Sequence, residues 1–237
     1  WRSRSGKSYQ KIAYTHMRYL AQQPGGLTDT QFEQDPRQSN RPRNWFAINW
    51  NLFAHEWEQD LGPRTRYNAR TFGLYAGRAA LGNLERINVA DAVVVNRTLI
   101  DGTYQNLGHE SRLLHRMGLS QLLVGVRLYQ GTTTARQGDA SSGADADFRL
   151  LNPAYPEGSD YRFPNQNAAL FAEYLWQVGP RWKITAGARA EYIRTRAEGF
   201  YRQRVFDFAG NVVVDRRIDE ATDRSRAFVI GGLGASY

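Results

Sequence analysis

Residues 167–194, NAALFAEYLWQVGPRWKITAGARAEYIR, alternate with period two on both sides of a three-residue connection. Ala168, Leu170, Ala172, Tyr174 and Trp176 occupy every second position before it. Trp182, Ile184, Ala186, Ala188, Ala190 and Tyr192 do so after it, with Lys183, Thr185, Arg189 and Glu191 between them. Successive side chains of a strand point to opposite faces, so this spacing describes two strands, each with one apolar and one polar face. Gly179-Pro180-Arg181 is short enough to join only antiparallel neighbours. Trp176 and Trp182 flank that turn, where an aromatic belt would meet a membrane–water boundary.

The pattern recurs along the chain. Lys11–Gln22, Asn44–Gln59, Arg66–Arg78, Thr103–His115 and Gln121–Gln130 read as further strands, and Arg226–Tyr237 as the last. In the third of these, Arg66, Asn68 and Arg70 oppose Tyr67, Ala69 and Thr71, so the polar side is expected to face inward. Residues 1–7 read as the tail of an earlier strand and a tight turn. Thr28 and Gln31 match a capping box for one helical turn, which Pro36 stops. Residues 79–101 read as irregular, with Val93-Val94-Val95 expected as a loop strand or a plug against the rim, and 131–164 as a loop of Gly, Ser, Asp and Pro. After the 167–194 hairpin another long excursion is expected, in which Tyr201–Phe208 and Val212–Ile218 pair across Gly210-Asn211. About eight strands joined alternately by short turns and long loops make an all-β, antiparallel transmembrane barrel segment, with short periplasmic turns and long extracellular loops.

Composition agrees with that class. Hydrophobic residues make up 41% of 237, and no apolar run approaches the ~18 residues of a spanning helix. The net charge is +8; lysine occurs only at 7, 11 and 183, so 31 basic residues less 3 leave 28 arginines. These alternate with apolar residues or lie in loops, which suits a polar lumen or an anion site at least as well as a nucleic-acid face. With no cysteine there are no disulfides or thiolate metal sites. No basic, apolar leader opens the sequence, so any signal peptide is expected outside it. Two other classes stay open: a small self-contained outer-membrane barrel with a structural or adhesive role, and a soluble basic β-protein binding nucleic acid. The latter lacks an RNA-binding or OB signature.

PGGLTDTQFEQDPRQSNRPRNWF (24–46), TRYNARTFGLYAGR (65–78), HESRLLHR (109–116), LYQGTT (128–133) and GSDYRFPNQNAALFAE (158–173) together resemble TonB-dependent outer-membrane receptors, and within them the ferric dicitrate receptor type. The resemblance implies a bacterial outer-membrane protein that imports a ferric chelate, not an enzyme, with energy from TonB acting through an N-terminal plug. It implies a barrel of about twenty-two strands, so residues 1–237 are expected to be part of the barrel domain, without the plug, of a receptor that is monomeric when full length. Outer-membrane lipid and lipopolysaccharide are the expected surroundings; no cofactor and no nucleic acid are implied.

Two groups of residues follow as candidate sites. Arg37, Gln38, Asn40, Arg41 and Arg43 concentrate guanidinium forks and amides in one loop, the chemistry that holds an anionic, carboxylate-rich iron chelate. Arg136, Arg162 and Gln166 are placed at the same rim. Lipopolysaccharide phosphates and plain solvation are the competing roles for these arginines. The second group, Arg66, Arg70, Glu110, Arg112, Arg127, Glu173, Arg189 and Glu191, is expected to face the lumen and meet the plug, with Glu110 and Glu173 as partners of plug arginines; pairing among neighbouring strands is the alternative. Glu56 and Glu58 read as a solvated pair on one strand face. The histidines at 16, 55, 109 and 115 lack metal-site spacing.

Overall fold

The computed structural model describes residues 6–237; the expected strand tail over 1–5 lies outside them. Eight strands follow one another: β1 (Ser8–Gln22), β2 (Trp45–Gly62), β3 (Thr65–Gly82), β4 (Arg97–Met117), β5 (Ser120–Ala140), β6 (Ser159–Val178), β7 (Trp182–Phe206) and β8 (Val212–Ser236). They form one antiparallel sheet in sequential order, β1 to β8, with no crossover. The only helix among the described residues, α1 (Asp29–Gln34), begins with the expected capping box: Gln31 N–H donates to Thr28 Oγ1 and Thr28 N–H to Gln31 Oε1. It is far too short to cross a membrane.

Period-two alternation fixes the register, because a slip of one residue would exchange the two faces of a strand. One face carries Tyr14, Phe53, Tyr75, Leu107, Leu128, Leu170, Trp176, Trp182 and Val229, all exposed. Side chains of this kind over so wide an area are stable only against a non-aqueous medium or another protein. Trp182 lies 5.0 Å from Tyr237, and Trp57 meets Tyr67 edge-on at 5.3 Å, so aromatic rings gather near the short turns. That is where amphipathic rings settle at a bilayer surface.

The buried core is elsewhere, at the long-loop end. Leu81, Leu99 and Ala140 are buried together, with Trp45, Ala79, Phe148 and Leu150 packed on them. Those strand residues belong to the apolar face, so loop 141–158 folds over the outward side of the strand tips. Its Tyr155 stacks on Phe200 of β7 at 5.4 Å, continuing that layer.

Several stretches differ from the sequence-based expectation. Strands β7 and β8 run without a break through 195–200 and 219–225, where a loop is expected, because cross-strand ion pairs replace apolar alternation beyond the belt. Arg194 and Arg196 reach Asp223 at 2.5 and 3.9 Å, and Arg204 reaches Asp215 at 3.7 Å. The turn at Gly210-Asn211 forms, with a register shift between Val205 and Phe206. Strand β3 extends to Gly82 and β5 to Ala140, shortening the intervening loops. Val93, Val94 and Val95 form neither a strand nor a plug; they are exposed in the loop 83–96.

Candidate functional site

Opposite the apolar face, the ladder aligns a row of charge across the sheet. Glu56 pairs in register with Arg70, Arg70 with Glu110, Glu110 with Arg127, Arg127 with Ala169 and Ala169 with Glu191. A parallel row runs through Glu58, Asn68, Arg112, Gly125, Phe171 and Arg189. Opposite charges thus meet either across neighbouring strands, as Glu56 with Arg70 and Glu110 with Arg127, or two residues apart along one strand, as Arg112 with Glu110 and Arg189 with Glu191. Glu110 lies between Arg112 and Arg127, the latter at 3.8 Å. Arg189 meets Glu191 at 2.7 Å, and Asn167 donates to the same carboxylate at 2.7 Å. Arg70 faces Glu56 at 3.9 Å, and Arg66 pairs with Asp60 at 2.8 Å. Glu173, one step nearer the short turns, has no partner among the described residues. The structure therefore separates the two glutamates that the sequence groups together: Glu110 is neutralised by its own neighbours and Glu173 is not.

Two phenylalanines stand among these charges, and sequence reasoning missed them. Phe171 lies over Gly125, where a Cβ would come within 2.3 Å of its ring, and Arg112 and Arg189 stand 6.0 and 5.6 Å from its centroid. Phe72 lies over Gly108 in the same way, with Arg127 at 5.7 Å. The glycines are the legible trace of this packing: each faces an aromatic residue one strand away and leaves room for a flat ring with a guanidinium above it.

The loop arginines divide into two kinds. Arg37 is exposed and its guanidinium has no partner among the described residues. Gln38 Nε2 donates to the Gln31 carbonyl, and Asn40 Nδ2 donates to the Ile87 carbonyl at 3.0 Å. Arg41 and Arg43 are buried in the loop layer. Arg41 donates to the carbonyls of Asn40, Glu85, Arg86 and Val89 at 2.7 to 3.1 Å. Arg43 spends all five N–H groups: Nε and Nη2 on the Asp91 carboxylate, Nη2 also on the Ala92 carbonyl, and Nη1 on the carbonyls of Val95 and Ser142. Arg97, fully buried and unanticipated, donates to the carbonyls of Arg43, Ser141 and Asp145. Irregular loops leave carbonyls without ladder partners, and planar guanidinium forks supply the missing donors. Loops 23–44, 83–96 and 141–158 are thereby tied into one package. Arg43 holds the Asp91 carboxyl below its ordinary range against the opposing effect of burial, and Asn83 adds a hydrogen bond at 3.0 Å.

Arg136, Arg162 and Gln166 do not join the loop-tip group. They stand at even positions of β5 and β6, on the face that continues the apolar belt, because one residue of parity decides the face. Arg136 there pairs with Asp160 at 3.5 Å and donates to the Pro153 carbonyl. The four histidines share that same face and are hydrogen-bonded to neighbours: His16 with Asn51, His55 with Gln10, His109 with Thr71 and Ser111, and His115 with Thr65. Among the described residues no group of three or more His, Asp or Glu is placed to hold a metal ion.

A family model described as TonB dependent receptor-like, β-barrel, matches residues 1–237. The fold is similar to the ferric citrate transporter FecA in its unliganded form, at 19% identity and a TM-score of 0.68, covering 95% of this chain and 31% of that one. It is similar to the ferric yersiniabactin uptake receptor FyuA from Yersinia pestis, at 10% identity and 0.68, covering 97% of this chain and 32% of that one. The open form of the ferric-catecholate import receptor Fiu from E. coli gives 12% and 0.63, over 97% of this chain and 42% of that one. No curated protein matches the chain in sequence. Residues 1–237 thus span between 31% and 42% of the length of these solved proteins.

Proposed function

The chain belongs to the TonB-dependent receptor β-barrel family, and from that premise we propose that it is one sector of a bacterial outer-membrane transporter that imports an anionic ferric chelate, with citrate-like carboxylates, driven by TonB through a plug. The observation that carries this reading is the division of one continuous sheet into an exposed apolar face and an opposite face of aligned ion pairs. A barrel wall needs the first toward lipid and the second toward a wet interior. Strands β1 and β8 are the edges of the sheet, and open edges are not tolerated in hydrocarbon, so further strands are needed on both sides to close the barrel. The structural neighbours named above carry ferric citrate, ferric yersiniabactin and ferric catecholate in their descriptions, which supports a ferric chelate as cargo.

Within this reading the loop tip at Arg37, Gln38 and Asn40 meets the chelate, with Arg41 and Arg43 holding the loop in shape. Arg136, Arg162 and Gln166, on the outward face, serve the loop framework and the membrane surface, where lipopolysaccharide phosphates are their natural partners. Arg66, Arg70, Glu110, Arg112, Arg127, Glu173, Arg189 and Glu191 form the wall against the plug, and the unpaired Glu173 is the group best placed for a plug cation. The full-length receptor works as a monomer. The test is growth of a strain lacking other ferric receptors on ferric citrate as sole iron source. The full-length protein should support growth, and loss of TonB or Arg37→Ala should abolish or weaken it; growth indifferent to TonB would overturn the transport reading.

A further inference from the structure

At the short-turn end of the charged face, the turn 62–65 and the end of β4 enclose a recess of about 330 Å³. Its cations are Lys7, Arg64, Arg66 and Arg116, and its one carboxylate is Asp60. Arg66 and Arg116 stand at even positions of β3 and β4, on the face of Arg70 and Arg112, so the recess lies opposite the apolar belt. Asp60 is committed to Arg66 at 2.8 Å, and Glu58, one step deeper on β2, accepts from Asn68 at 3.5 Å. The side chains of Arg64 and Arg116 have no partner among the described residues. Their backbones are nevertheless fixed side by side, because Arg116 N–H donates to the Arg64 carbonyl at 2.8 Å. Both lie between β2 and β5, away from the open edges of the sheet.

Comparable arginines elsewhere are answered. Gly179-Pro180-Arg181 repeats the turn Gly62-Pro63-Arg64, yet Arg181 donates to the Tyr237 hydroxyl at 2.9 Å and lies on its ring. Deeper in the wall, Arg70, Arg112, Arg127 and Arg189 each face a carboxylate. We propose that the recess binds a carboxylate-bearing anion and is the last hold of the ferric chelate as it leaves the lumen for the periplasm. The proposal rests on the transport reading given above. Guanidinium forks match carboxylates, and the two in this recess are not spent on neighbours. Exposed arginines hold an anion only weakly, which suits an exit, since a site on a conduction path must release what it receives. An acidic stretch of the plug offers the same carboxylate chemistry from a second source.

A Cβ at Gly62, which lines the recess, would meet nothing within 4 Å, so Gly62→Cys in an otherwise cysteine-free full-length receptor places a thiol there without crowding the turn. In detergent, and relative to free thiol, an anionic methanethiosulfonate should modify it on the order of tenfold faster than a cationic one. Millimolar citrate should slow a neutral reagent. Arg64→Gln with Arg116→Gln should remove both effects, and Arg64→Lys with Arg116→Lys should keep the charge preference; heat-modifiable electrophoretic migration confirms that each variant keeps the barrel. Equal rates for both reagents, or slowing by sodium chloride of matched ionic strength as strong as by citrate, would overturn the site. A preference that appears only after deletion of the plug would assign the recess to plug carboxylates and overturn the exit role. In cells, the double glutamine variant should bind ferric citrate at the surface as the wild type does and import it roughly fivefold more slowly; unchanged import would overturn the exit role as well. A wild-type receptor that shows the thiol pattern but imports no ferric citrate would overturn the transport reading and leave the anion site standing.

Discussion

Replacing Arg43 by alanine should release the loop package while leaving the strands in place. Arg43 and Asp91 each have side chains only 2% exposed, and the substitution strands the Asp91 carboxylate and the carbonyls of Ala92, Val95 and Ser142 without their donor. Removing one member of a buried ion pair costs about 3–5 kcal/mol, because the remaining charge stays desolvated. Each 1.4 kcal/mol is a factor of ten, so local opening of loop 83–96 should become at least about a hundredfold more frequent. Hydrogen exchange in the full-length protein reads this directly: amides of 83–96 and 141–145 should lose protection while those of β7 do not. Arg43→Lys should recover only part of the effect, since an ammonium cannot serve five acceptors in a plane. Arg43→Met combined with Asp91→Leu should recover more, because no buried charge is then left alone. Unchanged exchange in Arg43→Ala, or an equal rise across all strands, would refute the view of Arg43 as a specific tie between loops.

Acid should loosen the same loops. Arg43 depresses the Asp91 carboxyl, so its contribution is fully present above the ordinary carboxylate value of about 4 and is lost as pH falls through the lower folded value; protease sensitivity at Arg86 should rise only below that range, and Asp91→Asn should remove the step. Gly125→Ala should cost about 1–3 kcal/mol in chemical unfolding, because its Cβ would lie 2.3 Å from the Phe171 ring and 2.8 Å from the Ser111 carbonyl. Trp176 and Trp182 should be quenched by brominated lipid and poorly by aqueous iodide; the reverse would remove the aromatic belt.

Most strands were legible because alternation over many residues leaves one register open to each. On β2, however, the run Phe46, Ile48, Trp50 and Leu52 stands on the face of Glu56 and Arg70 while Asn49, Asn51 and His55 face outward, so its two faces needed the register. The sequence hid the polar upper halves of β7 and β8, since strand there is held by pairs such as Arg194 with Asp223, 29 residues apart, and not by apolar periodicity. The loop site was legible only as composition. Arg37, Arg41 and Arg43 look alike in sequence, yet Arg43 is committed to Asp91, 48 residues away, and Ser142, 99 residues away, and no local pattern reports such partners. Arg136, Arg162 and Gln166 were expected at the loop rim, yet they stand within β5 and β6, where their even numbers put them on the face of Leu128 and Leu170. Gly108 and Gly125 were legible afterwards as the positions opposite Phe72 and Phe171, a pairing that needs the register first.

The central claim is that one face of this sheet meets lipid and the other a wet interior. Residues 1–237 contain no cysteine, so single-cysteine substitution at each position from 183 to 192, in a full-length protein cleared of any cysteine outside this segment, scans β7 in intact outer membranes. Even positions should react only with a lipid-soluble maleimide and odd positions only with a water-soluble one admitted from the periplasm, alternating at every residue. Uniform labelling by the water-soluble reagent, or alternation of the opposite parity, would contradict the account.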